Sequence, residues 1–160
     1  MVLVFLDTQG RYEGLILGWN SNLFKCTNSW ASSTCLSIDM FSVEHGMITT
    51  FINIYGPYQQ RPKFQEKLFQ SEMLNNEKVI IGRNLKFSFG EAKIWGSHAY
   101  KDILVDFFVR KLEKNNLYDI FPINIKHTWR NMRSGSDRIA KRLDKFLVNE
   151  GSLQATAYIK

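Results

Sequence analysis

The sequence predicts a mixed α/β (α+β) fold, because strand-like and helix-like apolar patterns follow one another along its 160 residues. Apolar side chains alternate at Leu36, Ile38 and Met40, and again along residues 48–54, which predicts a β-hairpin that turns at residues 44–46. Hydrophobic residues make up 44% of the chain and include twelve Phe, enough to fill a packed core. The length indicates one domain or part of one.

Shorter apolar runs predict the other strands. Residues 14–19 and 78–82 are typical of short buried strands, and we expect the second to be central in its sheet. Residues 127–129 and 142–148 predict two more strands. Leu143, Phe146 and Val148 are the expected core residues of the last one.

Two helices are predicted between these strands. Pro62 suits the first turn of one helix, which carries Phe64 and Leu68 on one side. The stronger prediction covers residues 100–115 and ends at Asn115. Its apolar stripe consists of Ile103, Leu104, Phe107, Phe108 and Leu112.

Several classes of site and location are disfavoured. Cys26 and Cys35 are too few for a disulfide framework and are interpreted as reduced thiols of an intracellular protein. The three histidines have no second ligand at zinc spacing, so we predict no metal site from them. The apolar runs are strand-sized, which argues against a membrane partner, and the first residues do not resemble a signal peptide.

The net charge of +6 is concentrated in one stretch. Residues 126–145 contain seven basic and two acidic residues, a net charge of +5. We call the seven cations the basic segment: Lys126, Arg130, Arg133, Arg138, Lys141, Arg142 and Lys145. Such a cluster can neutralise the phosphates of a nucleic acid, or it can be a solvated loop without a partner. Charge alone leaves both interpretations open.

A series of short motifs points to a known family. In chain order they are GLILGW at 14–19, NIYGP at 53–57, IIGRNLKFS at 80–88, EAKIWG at 91–96, LYD at 117–119, TW at 128–129 and AKRLDKFLV at 140–148. Together they resemble the endonuclease/exonuclease/phosphatase family, and within it the apurinic-endonuclease-like domain of plant non-LTR retrotransposons. Each motif is short, and the specificity comes from their order.

The resemblance implies a four-layer α/β/β/α sandwich, of which this chain is expected to be an incomplete copy. The partial domain would cover residues 1–148, with 149–160 as a short tail. The family hydrolyses phosphodiesters with Mg²⁺, and its retrotransposon members nick DNA. The resemblance therefore implies Mg²⁺ as cofactor, DNA as partner and an intracellular location, with the nucleus as a candidate compartment.

Carried over residue by residue, the resemblance assigns four site positions. Tyr55 stands at the active-site tyrosine, and Asp144 at the aspartate that orients a histidine. In the ungapped register Asn84 stands at the catalytic aspartate and Lys86 at its asparagine, whereas a gapped register aligns Asn84 with that asparagine. Neither register leaves a carboxylate at the water-activating position. The family's metal-binding glutamate and its terminal S-D-H motif would lie outside this sequence, so we predict no metal ligand and no catalysis here.

Three functions remain open from the sequence. The chain is a degenerate endonuclease, expected to be inactive because losses within one catalytic constellation are not additive. Alternatively, it is a non-catalytic domain that binds nucleic acid through the basic segment, or a folded by-product without a role.

Overall fold

The computed structural model describes residues 1–7, 14–86, 94–96, 102–124 and 126–157, with side chains up to residue 155. The strands in these ranges are β1 (Val2–Leu6), β2 (Leu15–Trp19), β3 (Phe24–Ser32), β4 (Cys35–Ser42), β5 (Ile48–Tyr55), β6 (Val79–Asn84), β7 (Ile94–Trp95), β8 (Leu117–Ile120), β9 (Trp129–Arg130), β10 (Ala140–Lys141) and β11 (Asp144–Asn149). The helices are α1 (Arg61–Phe69), α2 (Val105–Lys114) and α3 (Glu150–Ala157).

A six-stranded sheet in the order β3-β4-β5-β6-β11-β8 forms the centre of the fold. Its strands pair antiparallel except β5 and β6, which run parallel because α1 crosses over between them. The predicted hairpin is confirmed by the pairing of β4 with β5, and the predicted central position of β6 by its two neighbours. The mixed α/β class is also confirmed.

The core lies between one face of this sheet and the helices. Alternate residues of β5 and β6, among them Ile52, Ile54 and Ile81, pack against Phe108 of α2 and Leu68 of α1. All five side chains are at most 7% exposed. The period of two along each strand thus directs every second residue to the helices and the others to the opposite face.

The opposite face carries β1 and β2, an antiparallel pair. The Asn53 side-chain amide donates a hydrogen bond to the carbonyl oxygen of Ile16, at 3.2 Å, and ties β2 to the large sheet. The other side of the pair is apolar and exposed: Leu3, Phe5 and Ile16 are 54%, 66% and 63% exposed. A third, three-stranded sheet has the order β7-β10-β9.

Several sequence expectations are wrong in detail. The predicted helix begins later, at Val105, and Ile103 is 92% exposed instead of lying in the apolar stripe. Phe146, a predicted core residue, is 60% exposed, whereas Leu147 beside it is buried. Within the predicted tail at residues 149–160, the described part forms α3, which lies against β6 and β11 through buried Ser152, whose hydroxyl donates to the Val79 carbonyl.

Part of the sequence expectations falls outside the described residues. These are the first three residues of the EAKIWG motif, the end of IIGRNLKFS and the predicted helix start at Tyr100. Among the described helices, none is long and apolar enough to cross a membrane.

Candidate functional site

Three of the four predicted site residues lie in one row at an end of the large sheet. Tyr55 of β5 pairs with Asn84 of β6, and Asn84 pairs on its other side with Asp144 of β11. Residues paired across neighbouring strands project from the same face. We call Tyr55, Asn84 and Asp144 the site row; it lies on the face away from the helices.

The site row lines a cavity of about 460 Å³ between the large sheet and β2. Leu15 and Leu17 form the β2 side of this cavity, and Phe146 forms part of its floor. Asp144 is exposed and Asn84 is half-buried, so water and a ligand can reach both side chains.

Lys86, the fourth predicted residue, follows β6 at a bend and returns to the row. Its φ of 63° is left-handed, and its backbone N–H donates to Asn84 Oδ1 at 3.1 Å. This local turn aims the side chain back across β5. The ammonium Nζ lies 3.5 Å from the ring centre of Tyr55 and 5.1 Å from that of Tyr58, both in cation–π range.

Gly56 explains how β5 and β6 end so close together. Its backbone N–H donates to the Asn84 carbonyl oxygen at 2.7 Å. A Cβ at this position would lie 2.9 Å from Leu85 Cα, closer than side chains are found. The glycine of the NIYGP motif thus allows the backbone contact that sets Tyr55 beside Asn84.

A cluster of buried charges lies on the helix-facing side of the same strands. Arg83 and Lys145 pair across β6 and β11, and both are at most 4% exposed. The guanidinium carbon of Arg83 lies 4.7 Å from the Phe108 ring centre. Burial lowers the pKa of Arg83 to about 9, while Asp119 acts against this shift and Arg142 adds to it.

This burial corrects two sequence predictions. Arg142 is 4% exposed, its Nη1 lies 3.7 Å from Asp119 Oδ2, and its Nη2 donates to the Ile120 carbonyl at 2.9 Å. Lys145 is 2% exposed because strand alternation directs it toward the helices. Neither cation is available on the surface to contact a nucleic acid.

The other members of the basic segment remain accessible. Lys141 is half-buried. The remaining four are exposed: Lys126, Arg130, Arg133 and Arg138. Thr128 fixes this stretch beside the site row, because its hydroxyl oxygen accepts the backbone N–H groups of Leu143 and Asp144, each at 3.0 Å. Apart from the TW motif, no sequence pattern indicates this anchor.

A divalent metal does not fit the described residues around the site row. Mg²⁺ requires a nearly octahedral set of oxygen ligands that includes carboxylates. Asp144 is the single carboxylate of the row, and the Lys86 ammonium beside Tyr55 repels a cation. Within the described ranges, no group of three His, Cys, Asp or Glu side chains is arranged to hold a metal ion.

A larger groove, of about 740 Å³, lies beyond the end of β5. It runs between the turn of the β3–β4 hairpin and α1, and Thr34 at its edge accepts the Tyr55 backbone N–H at 3.0 Å. Its lining includes Lys63, Lys67 and half-exposed Trp30, and no acidic residue.

Comparison with known proteins adds to this geometry. No protein-family model and no curated protein matches the sequence. Among solved structures, the endonuclease domain of TRAS1, a telomere-specific non-LTR retrotransposon, has a TM-score of 0.70 at 14% identity, covering 95% of this chain and 69% of that domain. An endonuclease/exonuclease/phosphatase family protein from Bacteroides thetaiotaomicron has a TM-score of 0.53 at 12% identity, covering 92% and 61%.

A third neighbour was solved with a nucleic acid. TDP2 from D. rerio, complexed with a single-strand DNA product, has a TM-score of 0.57 at 11% identity, covering 92% of this chain and 62% of that one. The chain has the endonuclease/exonuclease/phosphatase fold. The fold that the resemblance implies is thereby confirmed, with a retrotransposon endonuclease among the neighbours, while a plant origin stays a prediction. This chain spans 61 to 69% of the length of the three neighbours.

Proposed function

We propose that this chain is a domain of the retrotransposon-endonuclease type that binds DNA without hydrolysing it. One observation carries the proposal. The chain has the endonuclease/exonuclease/phosphatase fold, but its site row contains one carboxylate and lies beside an ammonium group. The sequence motifs favour the plant non-LTR group as its origin. The four exposed cations of the basic segment supply the binding surface.

The lack of hydrolysis follows from the side chains that are present. Metal-assisted cleavage needs carboxylates that hold the cation and a base that takes a proton from the attacking water. Asn84 is a neutral amide and cannot accept this proton, whether it aligns with the family's aspartate or with its asparagine. Lys86, which stands at the family's asparagine in the ungapped register, is a cation that repels a metal ion.

DNA binding is supported by the position of the basic segment. Thr128 holds its first part against Leu143 and Asp144, so a duplex lying on the exposed cations would also reach the site row. If four exposed cations each neutralise one phosphate, the slope of log affinity against log salt is about −3.6, and affinity falls about 100-fold between about 50 and 200 mM salt.

Fluorescence anisotropy with a short labelled duplex tests the binding. Arg133→Ala with Arg138→Ala should lower the salt slope by about two and weaken binding to every sequence alike. The matched control is Arg110→Ala with Lys114→Ala, two exposed cations of α2, which packs on the face of the large sheet away from the site row. The proposal is wrong if the duplex does not bind at about 50 mM salt, or if both double variants bind equally.

A plasmid-nicking assay with Mg²⁺ tests the absence of hydrolysis. We expect no nicking by the chain, and none after Asn84→Asp with Lys86→Asn, because the repaired row would still hold only two carboxylates. The proposal is contradicted if the unmodified chain nicks the plasmid and Asp144→Asn abolishes this nicking. A contaminating nuclease would not respond to that substitution.

A further inference from the structure

We infer that the site row and Lys86 bind a phosphate group without a metal ion, with the Lys86 ammonium providing the positive charge. The inference rests on the proposed function for the ligand class, the phosphate of a nucleic acid. It adds the atoms that hold the phosphate and the independence of this binding from divalent cations.

The first observation is that the ammonium is held in place before a ligand arrives. Tyr55 and Tyr58 present their rings to Lys86 Nζ at 3.5 and 5.1 Å, and the left-handed turn at Lys86 restricts the backbone. A lysine otherwise loses much side-chain entropy on binding an anion. Here part of this loss occurs in the unliganded fold, which favours binding.

The second observation is that the ammonium has no carboxylate partner. Among the described residues, Lys86 forms no ion pair within 4.0 Å. Cation–π contacts leave the N–H groups that point away from the rings able to donate. A half-buried ammonium with donors to spare is a suitable partner for a phosphate oxygen.

The third observation concerns Asn84, which supplies a neutral donor next to this cation. Its Oδ1 accepts the Lys86 backbone N–H, and this bond fixes which end of the amide faces the turn. Its Nδ2 then faces away from the turn and can donate to the same phosphate. Asn84 and Tyr55, whose ring contacts the Lys86 ammonium, both line the cavity, so a phosphate would approach from the cavity face of the sheet.

Asp144 makes the inference sharper, because its effect depends on whether a metal takes part. In a metal site this carboxylate would favour the cation, and its removal would weaken binding of a phosphate through the metal. In a metal-free site the same carboxylate repels the phosphate. Asp144→Asn should therefore tighten phosphate binding.

The test is an NMR titration of the whole chain with inorganic phosphate, in a phosphate-free buffer containing EDTA. We expect shifts of the Asn84 side-chain amide and the Lys86 backbone amide. Lys86→Met, which keeps the length of the side chain on the tyrosine rings, should weaken binding about 10-fold, the loss typical of a hydrogen bond to a charged group. Lys86→Arg should restore most of it, and Asp144→Asn should tighten it severalfold.

Lys63→Met, a substitution of a surface lysine outside this cavity, should leave the titration unchanged. The inference is overturned if Lys86→Met binds phosphate as tightly as the unmodified chain, or if Mg²⁺ without EDTA strengthens binding and Asp144→Asn then weakens it. Recovery in Lys86→Arg guards against misfolding of the Met variant.

The titration also separates this inference from the proposed function. Inorganic phosphate is too small to contact the site row and the exposed basic segment together. Phosphate binding that depends on Lys86, without binding of duplex DNA, would therefore contradict the proposed function alone. Salt-dependent duplex binding without phosphate binding at Lys86 would contradict the inference alone.

Discussion

The side chain of Asn149 joins three parts of the fold that hold the site row. Its Oδ1 accepts the backbone N–H groups of Val79, at 3.0 Å, and Ser152, at 3.1 Å. Its Nδ2 donates to the carbonyl oxygens of Asn76 and Glu77, both at 3.0 Å. One amide thus links the end of β11 to the start of β6 and caps the N-terminus of α3.

We predict that Asn149→Ala lowers the free energy of unfolding by about 2–3 kcal/mol. Four hydrogen bonds at a net value of about 1 kcal/mol each give an upper value of about 4 kcal/mol. Asn149 is half-buried, so water replaces some of these partners after the substitution. Asn149→Asp keeps both acceptor bonds and the helix cap but loses both donor bonds, so we expect about half of the loss.

Urea denaturation followed by circular dichroism measures these differences. The matched control is Asn115→Ala, because Asn115 is also half-buried but its Nδ2 makes one side-chain hydrogen bond, to the Lys111 carbonyl at 2.7 Å. This control should lose about 1 kcal/mol or less. If Asn149→Ala costs no more than Asn115→Ala, the four contacts do not act as a clamp and the reasoning is refuted.

Three further predictions follow from burial and close contact. At about pH 8, iodoacetamide should label one thiol per folded chain, that of exposed Cys26. Burial raises the pKa of the Cys35 thiol to about 12 and keeps this thiol protonated. Two labels per folded chain in mass spectrometry would contradict this prediction. Gly56→Ala should lower unfolding free energy by about 1–3 kcal/mol in urea titrations, because its Cβ would meet backbone at 2.9 Å, and no loss would argue against that close approach. Phe108→Ala removes a fully buried ring and should lower the free energy of unfolding by about 3–5 kcal/mol in the same titrations. The exposed control Ile103→Ala should lower it by less than about 0.5 kcal/mol. Similar losses in the two variants would refute the assigned core face.

The site row was predictable from the sequence because each of its residues is at a strand end. Tyr55 and Asn84 close two successive strands joined by a crossover helix, so their carboxyl ends meet at one edge of the sheet. The apolar pattern located both strands, although it ended the second at Gly82, and the family resemblance supplied Tyr55, Asn84 and Asp144 as site residues. The left-handed turn of Lys86 and its contact with two tyrosine rings depend on tertiary structure that no local pattern encodes.

The last strand shows why burial was assigned to the wrong residues. Hydrophobicity favoured Phe146 as core and Lys145 as surface, but side chains alternate in a strand and only one of the two can face the helices. Pairing with β6 determines that Lys145 does. Phe146 lies instead over Gly82, where the missing side chain leaves room: a Cβ there would be 3.4 Å from the Phe146 ring.

Among the elements that the sequence analysis missed, two are stabilised by tertiary contacts. The strand β3 (Phe24–Ser32) is an edge strand with most residues exposed, so it shows no alternation of polar and apolar residues. The helix α3 (Glu150–Ala157) has a weak apolar face and is held by hydrogen bonds through Asn149 and Ser152. Neither cause is visible in a local pattern of hydrophobicity.

Two neighbouring residues, Arg83 and Asn84, differ from the family sequence, and strand alternation places their side chains on opposite faces of the sheet. Arg83 stands where the family has a glycine, and its side chain lies among the helices beside Phe108 and Asp119. In the ungapped register Asn84 stands where the family has the catalytic aspartate, and its side chain lies on the cavity face. Because one strand sends these residues to opposite faces, Arg83 affects the packing and charge of the core, whereas Asn84 affects the chemistry of the site. The proposed loss of hydrolysis therefore follows from the cavity face alone, and the fold is maintained by the other face.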